Sequence, residues 1–188
     1  MVASMERDYS RRDFTKSEFE ELAISLGRVT LTWNDLLVSV SGLFATITKI
    51  PNQLIPNTVF FTVKSDRDQI NILKRLAVSP AIGIEIPEDI REQITWVCGR
   101  CQNLIDVRND LLHTPFGINS GNVFSYHLGA HERAMKYATK YEALEDCAWF
   151  FQAAIILRDW SDSLDDALTH RDYTLPNRPE WQDRPSRN

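Results

Sequence analysis

The sequence lacks any apolar run of the roughly 18 residues that a membrane-spanning helix requires. The longest candidate, Cys147 to Leu157, is 11 residues and is interrupted by Gln152. The opening residues, MVASMERDYS, are polar and charged and hold no signal-peptide core. Cysteine is scarce: three residues, an odd number, argue against a disulfide framework. Seven glycines and eight prolines in 188 residues exclude a collagen-like chain. Net positive charge is also lacking. The formal charge is −5, so any site for a polyanion has to be a local patch working against the global sign. There is no Gly-rich phosphate loop, nucleophile elbow or kinase signature. The chain is read as soluble and cytoplasmic, with no membrane association and no cofactor or metal.

What is present is helical periodicity. At 43% hydrophobic and 25% charged, the chain is long enough to bury a core without staples. Phe19, Leu22, Leu26, Val29, Trp33, Leu36, Val40, Leu43, Ile47 and Ile50 recur at alternating steps of three and four. Ser17 and Glu20 have capping-box spacing, and Pro51 closes the segment. Gly27 and Gly42 are its weak points. Pro51 to Pro56 reads as a linker. Val59 to Val63 reads either as a strand or as the start of a helix. A second helix is expected from an Asp66 cap through Ala77.

A third helix is predicted from near Pro87 to His113, with Ile90, Ile94, Val97, Cys101, Leu104 and Leu111 on its apolar row. Extrapolating that row places a cation, Arg108, where an apolar residue is expected. Pro115 to Ser125 is turn-rich and reads as a small hairpin or an irregular loop. The last helix is predicted from Tyr141 to Leu168. One apolar row runs through Leu144, Ala148, Phe151 and Ile155, and a second through Trp149, Ile156, Trp160 and Leu164. Together these elements predict an all-α bundle of four to five helices within residues 1–172. A Pro- and Arg-containing tail, 173–188, is expected to be mobile or to dock by Trp181.

Arg108-Asn109-Asp110-Leu111-Leu112-His113 carries the chemistry. Arginine offers a fixed fork of donors to a phosphate. Histidine moves protons near neutrality, and a helix C-terminus favours the protonated imidazole, which suits a general acid. The set fits phosphodiester cleavage. The plainer reading pairs Arg108 with Asp106 or another acid and lets His113 close the helix. On a regular helix Arg108 and His113 diverge by about 140°, whereas Asn109 and His113 share a face.

The segment resembles the Arg-x4-His signature of the HEPN superfamily, and the order of helices from about Ser17 to His170 resembles that of HEPN domains. The resemblance implies a HEPN-like bundle, commonly dimeric, with the motifs of two subunits meeting in one cleft. Catalytic members are metal-independent endoribonucleases of toxin-antitoxin and phage-defence systems. By that resemblance Arg108 holds the scissile phosphate of an RNA, His113 is acid or base for attack by the ribose 2′-OH, and Asn109 orients one or the other. The resemblance also allows a non-catalytic module that binds RNA, a nucleotide or a protein, paired with an antitoxin or a nucleotidyltransferase. Asp110 and Asp106 depart from a basic surround. A positive field then has to come from Arg100, Arg133, Lys136 or Lys140.

Other motifs favour plain readings. Cys98-Gly99-Arg100-Cys101 lies inside a predicted helix rather than at a helix start, so buried free thiols are expected instead of a redox pair. His127 and His131 stand four apart, with Glu132 outside the pair, and read as solvated. Trp33 is assigned to the core, with Asn34 and Asp35 exposed. The acids of the last helix read as a solvated face.

Overall fold

The computed structural model describes residues 16–79, 85–114, 116–119, 122–125, 137, 140–170 and 172–186. Among the described residues five helices follow one another: α1 (Lys16–Thr48), α2 (Leu54–Thr62), α3 (Asp66–Val78), α4 (Glu88–His113) and α5 (Lys140–Thr169). Between α4 and α5 lies an antiparallel hairpin of β1 (Phe116–Asn119) and β2 (Asn122–Ser125). The architecture is an all-α bundle carrying this one small hairpin.

α1 is continuous for 33 residues, so neither Gly27 nor Gly42 breaks it. Its stripe is the bundle's spine. Val29, Trp33, Leu36, Val40, Leu43 and Ile47 are buried, while the end residues Phe19 and Ile50 are largely exposed. The helix stops at Thr48, short of Ile50, where Lys49 takes a left-handed φ of 53°. α1 packs most extensively on α5, which in turn packs on α4, and α3 covers the outer side of α4.

Two expectations between α1 and α3 are corrected. The linker ends at Gln53, because α2 begins at Leu54 and takes in Pro56. Proline is tolerated in a first turn, where its missing N–H has no partner to lose, and the Asn52 side chain accepts from the Leu54 N–H at 3.1 Å. Val59 to Thr62 is therefore helical, and buried Phe60 packs on Phe44 with ring centres 5.5 Å apart. The cap of α3 is Ser65, whose side chain accepts from the Asp68 N–H, and Asp66 is the first helical residue.

α4 matches its predicted row: Ile90, Ile94, Val97, Cys101, Leu104 and Leu111 are all buried. α5 does so only in part. In its first row Ala148 is exposed and Leu144, Phe151 and Ile155 are half-buried; in its second row Trp160 and Leu164 are buried and Trp149 and Ile156 half-buried. Ala143, Cys147, Phe150, Ala154 and Leu157, which neither row includes, also face the core. The middle of α5 is apolar nearly all round, so hydropathy alone does not choose which row faces inward. The tail lies against the bundle through Trp181, whose ring meets those of Trp96 on α4 and Trp149 on α5.

No helix of the described residues is long and apolar enough to cross a membrane.

Candidate functional site

Arg108 leaves the apolar row of α4 at the contact with α3 and α1. Its Nη1 donates to Asp66 Oδ2 at 2.8 Å, and its guanidinium lies 5.9 Å from the centre of the Trp33 ring. The same Asp66 oxygen accepts from Trp33 Nε1 at 3.0 Å. One carboxylate at the first turn of α3 thus ties together α1, α3 and α4. The Arg108 and Asp66 side chains are 24% and 25% exposed, so the pair sits at the edge of the surface. Arg108 Nε is buried and has no hydrogen-bond partner. The expected alternative partner, Asp106, is taken by Arg67 at 2.7 Å. Asp66 stands 42 residues from Arg108, and nothing in the local sequence of the motif points to it.

α4 stays regular through His113, and the Thr114 N–H closes the helix on the Asp110 carbonyl at 3.2 Å. The divergence of about 140° between Arg108 and His113 therefore persists in one chain. His113 is exposed in the last turn, Asn109 is half-buried one turn before it, and Arg108 points to Asp66. Asp110, expected to crowd the phosphate site with negative charge, is buried and contributes to the field felt by Arg184.

Of the cations expected to supply a positive field, Arg100 is engaged by the tail. It lies 4.9 Å from the Trp181 ring centre and pairs loosely with Asp183 at 3.8 Å. Arg133 and Lys136, like His127 and His131, lie outside the described residues, and only the backbone of Lys140 is described. Trp33 is fully buried, Asn34 is exposed, and Asp35 is held by Arg158 at 2.8 Å.

Cys98 and Cys101 are buried within α4, as is Cys147 in α5. Burial pushes the Cys98 thiol up to about 12, and it raises that of Cys101 well above the ordinary range. A thiol that stays protonated is a poor nucleophile and a poor metal ligand. Among the described residues no group of three or more His, Cys, Asp or Glu is arranged to hold a metal ion.

A second polar cluster was not foreseen from sequence. Asp146 on α5 is 1% exposed and accepts from the Tyr137 hydroxyl at 2.7 Å. Arg184 of the tail reaches the same carboxylate, its Nε lying 3.2 Å from Oδ1 and its Nη2 closer still to Oδ2. Burial is the largest influence on the Arg184 guanidinium and opposes its charge. Hydrogen bonding and attraction from Asp146, with Tyr137 and Asp110 beyond, outweigh it and raise its pKa. The sequence signal was faint: Asp146 stands beside Glu145 at the edge of the apolar middle of α5, and the cation lies 38 residues away.

Set against known proteins, the chain matches no protein-family model, no curated protein and no solved structure.

Proposed function

We propose that the chain is a HEPN-type, metal-independent endoribonuclease. The observation that carries the reading is the placement of an intact Arg-x4-His segment on the last turns of α4, a helix that packs between α3 and α5. Arg108 is fixed at the surface edge by Asp66, and His113 is open to solvent beyond it. The two stand five positions apart on regular helix, so one chain does not aim both at one phosphate. Each reaction centre then draws on two copies, Arg108 and His113 converging across a homodimer seam.

In this reading Arg108 binds a non-bridging phosphate oxygen with donors that Asp66 leaves free. A guanidinium has five N–H donors, and the bond to Asp66 uses Nη1. Its charge offsets the negative charge that builds on the phosphorus in the transition state. The ribose 2′-oxygen bonds to phosphorus as its proton is taken up, and the bond to the 5′-oxygen breaks as that oxygen is protonated. One His113 imidazole suits either proton transfer. Asn109, one turn before His113 on the same face, orients the phosphate or the imidazole. The products are a 2′,3′-cyclic phosphate and a 5′-OH. A defence or toxin-antitoxin setting, with an antitoxin or nucleotidyltransferase as partner, belongs to the same proposal.

One observation favours a second reading. The charge of Arg108 is already balanced by Asp66 and the group lies beside Trp33, as in a structural pair. On that reading the chain is a non-catalytic HEPN-like module that binds RNA, a nucleotide or a protein. Incubating a defined RNA with the protein in EDTA and identifying the product ends separates the two.

A further inference from the structure

From Thr174 to Ser186 the tail has no helix or strand, yet side chains at a fixed interval anchor it. Arg178, Trp181 and Arg184 are spaced by three, with prolines at 176, 179 and 185. A polyproline II helix has three residues per turn, so in that conformation this spacing puts all three on one face. Each meets side chains of the bundle, with Trp96 serving both Arg178 and Trp181. The Arg178 guanidinium lies 5.4 Å from the Trp96 ring centre and its Nε donates to Gln93 Oε1 at 2.6 Å. Trp181 stands edge-on to Trp96 and Trp149, at 5.9 and 6.2 Å, with the Arg100 guanidinium against it. Arg184 enters the socket of Asp146 and the Tyr137 hydroxyl. The bundle also reads the tail's main chain, Trp149 Nε1 donating to the Gln182 carbonyl at 3.0 Å.

Side-chain pockets at a repeating interval, receiving an extended segment, are how linear peptides are recognised. The socket also selects for charge. Asp146 is an almost wholly buried carboxylate, and leaving it without a cation is costly, so the groove favours an arginine at that position. We propose that the cleft between α4 and α5 is a peptide-docking site for an extended Arg-x2-Trp-x2-Arg segment. The chain's own tail is its occupant in cis, and the same segment of a second copy is its occupant in trans. The proposal is independent of the nuclease reading, since it uses none of Arg108, Asn109 or His113.

The test uses a fluorescent peptide of residues 173–188 and the full chain carrying both Trp181→Ala and Arg184→Ala, which removes two of the tail's three anchors and empties the Asp146 socket. Saturable binding is expected to this acceptor. It should be at least about tenfold weaker for the wild-type chain, whose tethered tail competes at high effective concentration. A peptide carrying Arg184→Ala should lose at least as much on the vacated acceptor. An Arg184→Ala chain serves as a second acceptor, each checked by circular dichroism. The wild-type chain carrying 5-fluorotryptophan gives a readout that needs no substitution: excess unlabelled peptide should shift the Trp181 signal to that of a solvated indole. Absence of binding to folded acceptors, binding indifferent to Arg184, or an unmoved Trp181 signal would overturn the proposal.

Discussion

Asp66 and Arg108 meet at 2.8 Å across the contact of α3 with α4, and the same Asp66 oxygen also accepts the Trp33 indole N–H at 3.0 Å. Replacing Asp66 therefore strips two donors, whereas replacing Arg108 strips one acceptor of one bond. Asp66→Ala should cost about 2 kcal/mol and Arg108→Ala about 1 kcal/mol in urea unfolding. A double-mutant cycle should return a coupling of about 1 kcal/mol, at the upper end for pairs near the surface, and 1 M salt should reduce it. A coupling of zero would mean that the two groups are not paired in solution.

Trp33 tests the same junction from the core side. Trp33→Phe keeps most of the buried ring and deletes the N–H, so a loss of about 1–2 kcal/mol is expected from the unmade hydrogen bond and the small cavity. In an Asp66→Ala background the hydrogen-bond part of that loss should disappear. Chemical denaturation of the four variants measures it.

The helical spine was legible because the α1 stripe runs continuously from Leu22 to Ile47, and the α4 row runs from Ile90 to Leu111 with a single interruption at Arg108. Arg108 was visible as the one cation on that row. Its partner was not, because Asp66 is joined to it only by the packing of α3 against α4. α5 was legible only in part. Trp160 and Leu164 of its second row are buried, but Ala148, Phe151 and Ile155 of its first are as apolar as the residues that face the core, so hydropathy does not decide between rows. Trp181 was legible as an anchor from its size in a polar segment. The socket for Arg184 was not, since Asp146, Tyr137 and Arg184 converge from separate parts of the chain.

The thiols give a chemical check on the core. Burial pushes both Cys98 and Cys147 up to about 12, and Cys101 is fully enclosed. At pH 8 the native protein should react with a thiol-specific disulfide reagent only as fast as it opens, and all three should react rapidly in denaturant. Fast reaction of Cys98 and Cys101 in the native state would contradict their burial in α4.

Asp165 gives a pH-dependent test. Burial is the main cause of its raised pKa. A hydrogen bond from Thr46 and the nearby His170 oppose the shift, while Asp166 and Asp162 add to it. Its Oδ1 is buried without a hydrogen-bond partner. A carboxyl with a raised folded pKa contributes stability below its unfolded value of about 3.9, and that contribution is lost as pH rises through the folded value. Asp165→Asn should therefore raise Tm by about 2–4 °C at pH 7, equivalent to about 1 kcal/mol, and the gain should shrink as pH falls through the raised folded value and be gone below the ordinary aspartate range. A gain that persists unchanged at acid pH would place its origin elsewhere.

The most direct test of the central claim is cleavage of a defined RNA in EDTA by the wild type, Arg108→Ala and His113→Ala, with product ends identified. The account predicts 2′,3′-cyclic phosphate and 5′-OH ends from the wild type. It also predicts a loss of at least about a hundredfold in each variant, as expected for a proton-transfer group or a transition-state charge partner. RNA bound but never cut by the wild type, or cut equally by all three forms, would contradict it and leave the binding-module reading in its place.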